Sequence, residues 1–428
     1  MGLLASRFTW PSSTIEFASL GDGARDGTAE VVERGDLWIL KSPGSFSGST
    51  GQPSERTLTA IISGAPTLVR GNVFAVDGDL GLRVDELRIG SVEENASYTS
   101  VVARFEHLSS LCSYRHEDGA ARDPRQSLLI PAIDGAAEMT AVFPSATDTI
   151  TLVSAEPVPL EQFETQLAAF QDLLTFAADM PCGRLSLEAT DVSGQVIRIV
   201  GREKFAPFGS RGQAPVEHSL RLSGDWTQTV VDRWWSARTE WRPVTQIVAG
   251  LRYQPGYVEA DVLLSAVAIE VIATKQLEGW SQPALWASDA QPIVDALESL
   301  QAMNPAQREA IGRLKGELRR TTFRSKVQQL VDAVDREVWA QAQVSVGEWV
   351  DLFIRTRNGI AHGAAGLSGG ADLWIEPRLL RSTRDANWVV LTLLLLRHLG
   401  APDSVIGRTA ERLGTRYGVR HRDTRIFT

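Results

Sequence analysis

The spacing of apolar residues changes once along the chain, near residue 225, and this change limits the folds open to it. Before it, short β-rich runs such as "TIEFASL" and "DLWILKS" alternate with turns rich in glycine, proline, aspartate and serine. After it, apolar residues recur three or four apart, and ten of the twelve tryptophans lie between Trp226 and Trp388. The sequence therefore predicts an α+β chain of two domains, with a β-rich domain over residues 1–225 followed by a helical one.

The first region contains one helical segment among its strands. Pro159 opens a run whose apolar residues form a single stripe at helical spacing: Leu160, Phe163, Leu167, Phe170 and Leu174. Strand patterns resume in "RLSLEAT" and "GQVIRIVGR". We therefore expect a sandwich-like β domain with this helix packed against it.

The second region contains six segments of helical periodicity, at 258–277, 292–301, 304–320, 325–342, 346–362 and 385–400. Their short connections predict an all-α helical bundle over residues 255–400, preceded by a helical linker at 226–254. Residues 401–428 read as a basic tail that begins with another short helix and has arginines every four residues. Because Gly414 and Gly418 fall within this pattern, we expect a partly flexible tail rather than one continuous helix.

Composition and the absence of certain motifs limit which bound groups, which cell compartment and which partners we expect for this chain. The two cysteines lie far apart, and no CxxC, HExxH or paired acidic motif is present, so we expect no disulfide framework, no metal and no cofactor. The N-terminus lacks a signal-peptide pattern, and the most apolar run, Val389 to Leu396, is too short to span a bilayer, so we expect a cytoplasmic protein without membrane contact. The net charge of −9 divides into −12 over residues 1–240 and +3 over 241–428, which disfavours indiscriminate nucleic-acid binding but allows a basic surface on the second region.

The stretch "RTRNGIAHG", Arg355 to Gly363, places an arginine, an asparagine and a histidine near the end of a helical segment. The apolar spacing of that segment predicts a buried stripe made by Trp349, Leu352, Phe353 and Thr356. Asn358 and His362 are four residues apart and share a helix face, whereas Arg357 and His362 diverge by about 140° on an ideal helix. The spacing permits the three side chains to converge on one group without requiring it. Arginine binds phosphate through a planar fork, asparagine orients its partners, and histidine exchanges protons near neutral pH. Metal-free cleavage of an RNA phosphodiester needs these functions.

Within its helical context, "RNGIAH" resembles the R-x4-6-H motif of HEPN-domain ribonucleases, and the layout of the chain is similar to that of ApeA-type antiphage proteins. The resemblance implies a bundle that forms a homodimer with a composite, metal-independent RNA-cleaving site, with transfer RNA as one candidate substrate and growth arrest during phage infection as the outcome. It assigns catalytic roles to Arg357 and His362, an orienting role to Asn358, and a place facing the motif to Glu270, which interrupts the apolar run "AVAIEVIA". It also makes residues 1–225 a sensor or regulatory domain for a phage-derived trigger.

Several residues allow two interpretations. Six basic side chains lie within 311–326: Arg313, Lys315, Arg319, Arg320, Arg324 and Lys326. They predict either a track for RNA phosphates or an ordinary solvated helix face. Glu270 fits a role in the site or an ion pair with a core arginine. The tryptophans of "DRWWSARTEWRP" fit a role as interdomain packing anchors better than base stacking.

Two functions of other classes compete with RNA cleavage. In the first, the bundle is a non-catalytic dimerisation module that binds RNA or a protein, while the β domain recognises a ligand. In the second, the β domain binds carbohydrate and the bundle only dimerises. The discriminating observation is whether Arg357, Asn358 and His362 face one cleft, and because the motif is present, RNA cleavage is the leading hypothesis.

Overall fold

The structure is a computed structural model that describes residues 14–17, 27–34, 37–41, 54–62, 65–76, 79–91, 93, 95–108, 125–144, 149–201, 227–253, 256–276, 287–299, 304–319, 323–362, 377–418 and 426. The chain divides into two compact units, Met1–Gln228 and Thr229–Thr428. The first unit is an antiparallel β structure and the second is helical, so the predicted α+β class is confirmed. The predicted domain boundaries at residues 225, 254 and 400 stay predictions.

Within the described residues, the first unit contains twelve antiparallel strands: β1 Thr14–Phe17, β2 Gly27–Arg34, β3 Leu37–Lys41, β4 Ser54–Ile62, β5 Ala65–Val76, β6 Asp79–Ile89, β7 Ser97–Phe105, β8 Arg125–Ile130, β9 Met139–Pro144, β10 Thr149–Pro159, β11 Arg184–Asp191 and β12 Val196–Gly201. They form one hydrogen-bonded sheet in the order β3-β2-β1-β4-β5-β6-β12-β11-β7-β10-β9-β8. Because β3 also pairs with β6, with Leu40 opposite Leu82, the first six strands close into a ring. The C-terminal half of β6 pairs with β12 and so joins this ring to the rest of the sheet.

The helix expected among the strands is α1, Leu160–Ala178, and it packs against β7 and β10. Its predicted apolar stripe is buried throughout. Phe170, in the middle of that stripe, lies 6.0 Å from Phe105 and 5.6 Å from Phe143, measured between ring centroids. Burial alternates along β10, where Leu152 is buried and Val153 is exposed, as expected for a strand with one covered face.

The described helices of the C-terminal region are α2 Thr227–Glu240, α3 Val244–Tyr253, α4 Val258–Gln276, α5 Ala287–Glu298, α6 Pro305–Arg319, α7 Phe323–Asp332, α8 Arg336–Gln341, α9 Val346–His362, α10 Pro377–His398 and α11 Asp403–Gly418. The prediction of one helix over 325–342 was wrong, because α7 and α8 are separate. Asp335 has an extended backbone immediately before α8. The turn brings Trp339 back onto α7, where its indole N–H donates to the Val331 carbonyl oxygen at 3.0 Å.

Helix α4 is central to the bundle because it packs against α3, α7, α9 and α10. Ile269, Ile272 and Ala273 on α4 are fully buried. The apolar run of α10, Val389 to Leu396, is also buried, which confirms its interpretation as part of a core helix. In the part of the chain that the structure describes, no helix is both long enough and apolar enough to cross a membrane.

The short helix expected in the tail is α11, but the expectation that Gly414 would interrupt it was wrong, because α11 continues through Gly414, ends at Gly418 and packs against α8 and α10. The reason is a close approach between helices. A Cβ atom at Gly414 would lie 2.5 Å from the carbonyl oxygen of Gln341, so only glycine fits at this contact. Glycine at this position therefore lowers helix propensity but allows tight packing.

The tryptophans of "DRWWSARTEWRP" are core residues. Trp234, Trp235 and Trp241 are buried, and the ring of Trp241 lies 3.8 Å from the imidazole of His398 between centroids. Burial lowers the pKa of His398, since the charged imidazolium loses hydration there. Their burial favours packing over base stacking, and a role between the two domains stays a prediction.

Candidate functional site

Helix α9 carries the stretch that contains arginine, asparagine and histidine, and its buried face determines where those residues lie. The predicted stripe of Trp349, Leu352, Phe353 and Thr356 is buried. Since these residues are directed into the bundle, the residues next to them at the C-terminal end of the helix lie at the edge of the core. The side chain of Arg357 is accordingly only 29 % exposed.

Arg357 contacts three neighbours. Its Nη2 lies 3.0 Å from Oε2 of Glu270, and its Nη1 donates to Oδ1 of Asn358 at 3.2 Å. Its guanidinium carbon also lies 5.5 Å from the ring centroid of Phe323, within the range of a cation–π contact. The guanidinium is thereby held in one position while part of it stays open to solvent.

Glu270 reaches Arg357 because α4 and α9 pack against each other. Although its sequence neighbours are apolar, the Glu270 side chain is 41 % exposed and lies at the edge of the core rather than inside it. The two interpretations left open by the sequence thus involve the same contact: Glu270 pairs with an arginine, and that arginine belongs to the motif. The role of the pair in a reaction stays a prediction.

A chain of buried hydrogen bonds supports α9 beneath this site. The indole Nε1–H of Trp349 donates to Oδ1 of Asn387 on α10 at 2.9 Å. The Nδ2 of Asn387 donates to Oγ of Ser265 on α4 at 2.9 Å, and that hydroxyl donates to the Val262 carbonyl oxygen at 2.8 Å. Three helices are therefore joined by polar contacts inside an apolar core, which fixes their relative register.

The first turn of α7 completes the surroundings of Arg357. Phe323 lies 5.9 Å from Phe353 between ring centroids, and Phe353 stacks on Trp349 at 5.0 Å. Arg324, the next residue, forms an ion pair with Asp351 on α9. Sequence reasoning placed Arg324 in a basic run and missed Phe323, whose only signal was a single aromatic residue within "TTFRSK".

His362 is the last residue of α9, and the helical backbone continues to it. Asn358 and His362 therefore lie one turn apart on the same helix face, as the four-residue spacing predicted. The side chain of His362 is outside the described part of the structure. Convergence of His362 with Arg357 stays a prediction.

The six basic residues proposed for RNA binding have different surroundings. Arg313 on α6 is exposed and paired with Glu309 at 2.7 Å, an i,i+4 contact typical of a solvated helix face. Arg324 is exposed but paired with Asp351, and Lys326 is half-buried on α7. The side chains of Lys315 and Arg319, and the whole of Arg320, lie outside the described residues. RNA binding by this run stays a prediction.

Comparison with known proteins gives a family match over the region that contains Glu270 and Arg357. Residues 267–405 match the family model for the Apea-like HEPN domain. This HEPN segment begins in α4, includes both Glu270 and the motif on α9, and ends in the first turn of α11. The resemblance inferred from the sequence is therefore confirmed over this segment. No curated protein and no solved structure matches the chain.

In the HEPN segment, the variant Glu270→Gln tests whether Glu270 positions Arg357 for catalysis or only stabilises the fold. For the RNA cleavage that the motif predicts, we expect kcat to fall about 10- to 100-fold, because a neutral amide would hold the Arg357 guanidinium less firmly against the scissile phosphate. We expect KM to stay level or fall, because a negative charge next to the bound phosphate is removed. The free energy of unfolding should change by less than about 1 kcal/mol, since this ion pair is partly exposed.

The matched control is Glu259→Gln, which removes an acidic residue from the first turn of the same helix and should leave both kinetic constants unchanged. If Glu270→Gln lowers stability but leaves kcat at the wild-type value, Glu270 has only a structural role.

Proposed function

We propose that this protein is a metal-independent endoribonuclease of the HEPN type and the effector of a bacterial antiphage system. HEPN domains are generally ribonucleases, and the matched family is Apea-like. The observation that carries the proposal is the contact of Arg357 with Glu270 and Asn358. It holds the motif's arginine at a partly open surface within the matched segment, where a phosphate can reach it.

The proposed chemistry is attack by a ribose 2′-hydroxyl on the adjacent phosphorus. His362 takes the 2′-hydroxyl proton while the 2′-oxygen–phosphorus bond forms, and the bond from phosphorus to the 5′-oxygen breaks. A proton is delivered to the departing 5′-oxygen, leaving a 2′,3′-cyclic phosphate and a 5′-hydroxyl end. Arg357 stabilises the negative charge that develops on the phosphoryl oxygens, and Asn358 and Glu270 keep its guanidinium in position.

A second copy of the chain supplies the second proton transfer in this scheme. The motif provides one histidine per chain, whereas the reaction needs a base for the 2′-hydroxyl and an acid for the 5′-oxygen. A two-fold symmetric dimer places two such motifs in one cleft. HEPN domains typically dimerise and bind RNA, which supports a homodimer as the active form.

The remaining parts of the proposal concern regulation and substrate. The acidic first unit, with its antiparallel sheet, is the sensor for a phage-derived trigger, and the protein acts in the cytoplasm. Transfer RNA is the candidate substrate, and basic residues of 311–326 guide its phosphates. Cleavage of this RNA would arrest growth of the infected cell.

The test is to incubate the purified full-length protein with total cellular RNA in excess chelator and to sequence the cut ends. We expect discrete cuts with 2′,3′-cyclic phosphate and 5′-hydroxyl ends, with transfer RNA enriched among the targets. The same assay should be run with a phage lysate added, because the first unit is proposed to respond to a phage component. Dimeric protein that binds RNA but never cuts it under either condition would instead favour the non-catalytic binding module.

A further inference from the structure

A cavity of about 160 Å³ lies elsewhere in the helical unit. Arg252 of α3, Arg384 of α10 and Arg416 of α11 all line it, and Asp261 of α4 forms part of its wall. Asp261 and Glu270 are nine residues apart on α4, which is two and a half turns, so they project from opposite faces of the helix. The cavity is therefore separate from the surface that holds Arg357.

The charge balance of the cavity favours an anion. Its two carboxylates are Asp385, which lies 2.7 Å from Nη2 of Arg384, and Asp261, whose Oδ1 accepts from the Gly256 N–H at 3.1 Å. Burial raises the pKa of Asp261, whereas Arg384 and Arg252 favour its charged form. Three guanidinium groups face two carboxylates, so the lining carries an excess of positive charge.

Two aromatic side chains of the lining hold Arg252 in place. The guanidinium carbon of Arg252 lies 3.5 Å from the ring centroid of Trp388, and Arg252 Nη2 donates to the hydroxyl of Tyr417 at 3.4 Å. Because Trp388 is only 5 % exposed, its ring keeps the Arg252 guanidinium at one place on the cavity wall.

We propose that this cavity binds a small molecule through a phosphate group. Guanidinium groups from three helices can contact several oxygens of one tetrahedral phosphate. The volume suits one phosphate and part of the attached molecule, and it is too small for a folded nucleic acid. This site goes beyond the proposed RNA cleavage and does not depend on it.

Isothermal titration calorimetry on the full chain tests the proposal with inorganic phosphate, ribose 5-phosphate and AMP as probes. Ribose and adenosine are the unphosphorylated controls. We expect the phosphorylated probes to bind and the controls not to bind. Arg416→Gln should weaken AMP binding about tenfold, equal to about 1.4 kcal/mol.

Arg408→Gln is the matched control, because Arg408 is an exposed arginine on the same helix that does not line the cavity. It should bind AMP as the wild type does. The proposal is overturned if no phosphorylated probe binds, if adenosine binds as well as AMP, or if Arg416→Gln leaves the affinity unchanged. Binding of an RNA oligonucleotide without terminal phosphate that is lost in Arg416→Gln would assign the cavity to the RNA surface instead. Because no RNA cleavage is measured, failure here leaves the proposed nuclease untouched.

Discussion

Arg357→Ala and His362→Ala are each expected to abolish measurable RNA cleavage while the protein stays folded and dimeric. Loss of the histidine removes a proton-transfer group worth about 10²- to 10⁴-fold in rate. Loss of the arginine removes a donor to the developing phosphoryl charge, worth about 10²- to 10³-fold. The measurement is kcat/KM on a defined RNA substrate in excess chelator, together with the circular dichroism spectrum and mass of each variant. The growth arrest that we propose for the wild type should also be absent when either variant is expressed.

Arg355→Ala is the control for this pair, because Arg355 is exposed on the same helix two residues before Arg357. It removes the same charge from α9 but not the contact with Glu270, so activity should be close to that of the wild type. Wild-type cleavage by purified His362→Ala in chelator would remove the catalytic assignment. A large loss in Arg355→Ala would show that general basicity of α9, rather than the position of Arg357, supports activity.

The largest expected change in stability comes from Trp349→Ala, which should lower the free energy of unfolding of the helical unit by about 3–5 kcal/mol. Trp349 is fully buried, it stacks on Phe353, and its N–H donates to Asn387. The truncation leaves a cavity and also removes the partner of a buried amide oxygen. Chemical denaturation followed by circular dichroism at helical wavelengths measures the effect. The two units should be allowed separate transitions in the fit.

The variant Trp349→Phe separates the contribution of ring packing from that of the hydrogen bond to Asn387. It keeps most of the ring that stacks on Phe353 but removes the N–H that Asn387 accepts, so a smaller loss of about 1–3 kcal/mol is expected. Both variants should lower the rate of RNA cleavage at temperatures where they remain folded. The reason is that Trp349 stacks on Phe353, Phe353 contacts Phe323, and the ring of Phe323 lies beside the Arg357 guanidinium. A cost below about 1 kcal/mol for Trp349→Ala would show that the hydrogen-bonded chain does not hold these helices together.

Much of the local structure could be predicted from the order of residues. The spacing of Trp349, Leu352, Phe353 and Thr356 predicted the buried face of α9, and burial confirmed it. The same rule predicted the stripe of α1. These predictions succeeded because the face that a helix buries depends on its 3.6-residue period, which is a property of neighbouring residues.

Predictions failed where a distant segment overrides local preference. Glycine at 414 is a poor helix former, yet α11 continues through it because the backbone at Gln341 approaches too closely for any side chain. Similarly, the helix expected over 325–342 breaks before Asp335, and Trp339 folds back onto Val331. Neither contact can be read from the residues adjacent to it.

The sequence by itself determined the two structural classes, the buried faces of individual helices and the motif at residues 357–362. Only the tertiary structure decided which partners those residues have. Glu270 and Arg357 are 87 positions apart, and their contact depends on how α4 and α9 pack. Helix packing likewise places the ring of Phe323 beside Arg357 and brings three arginines around one cavity. The physical reason is that side-chain period is a local property, whereas the choice of neighbour depends on the packing of the whole bundle.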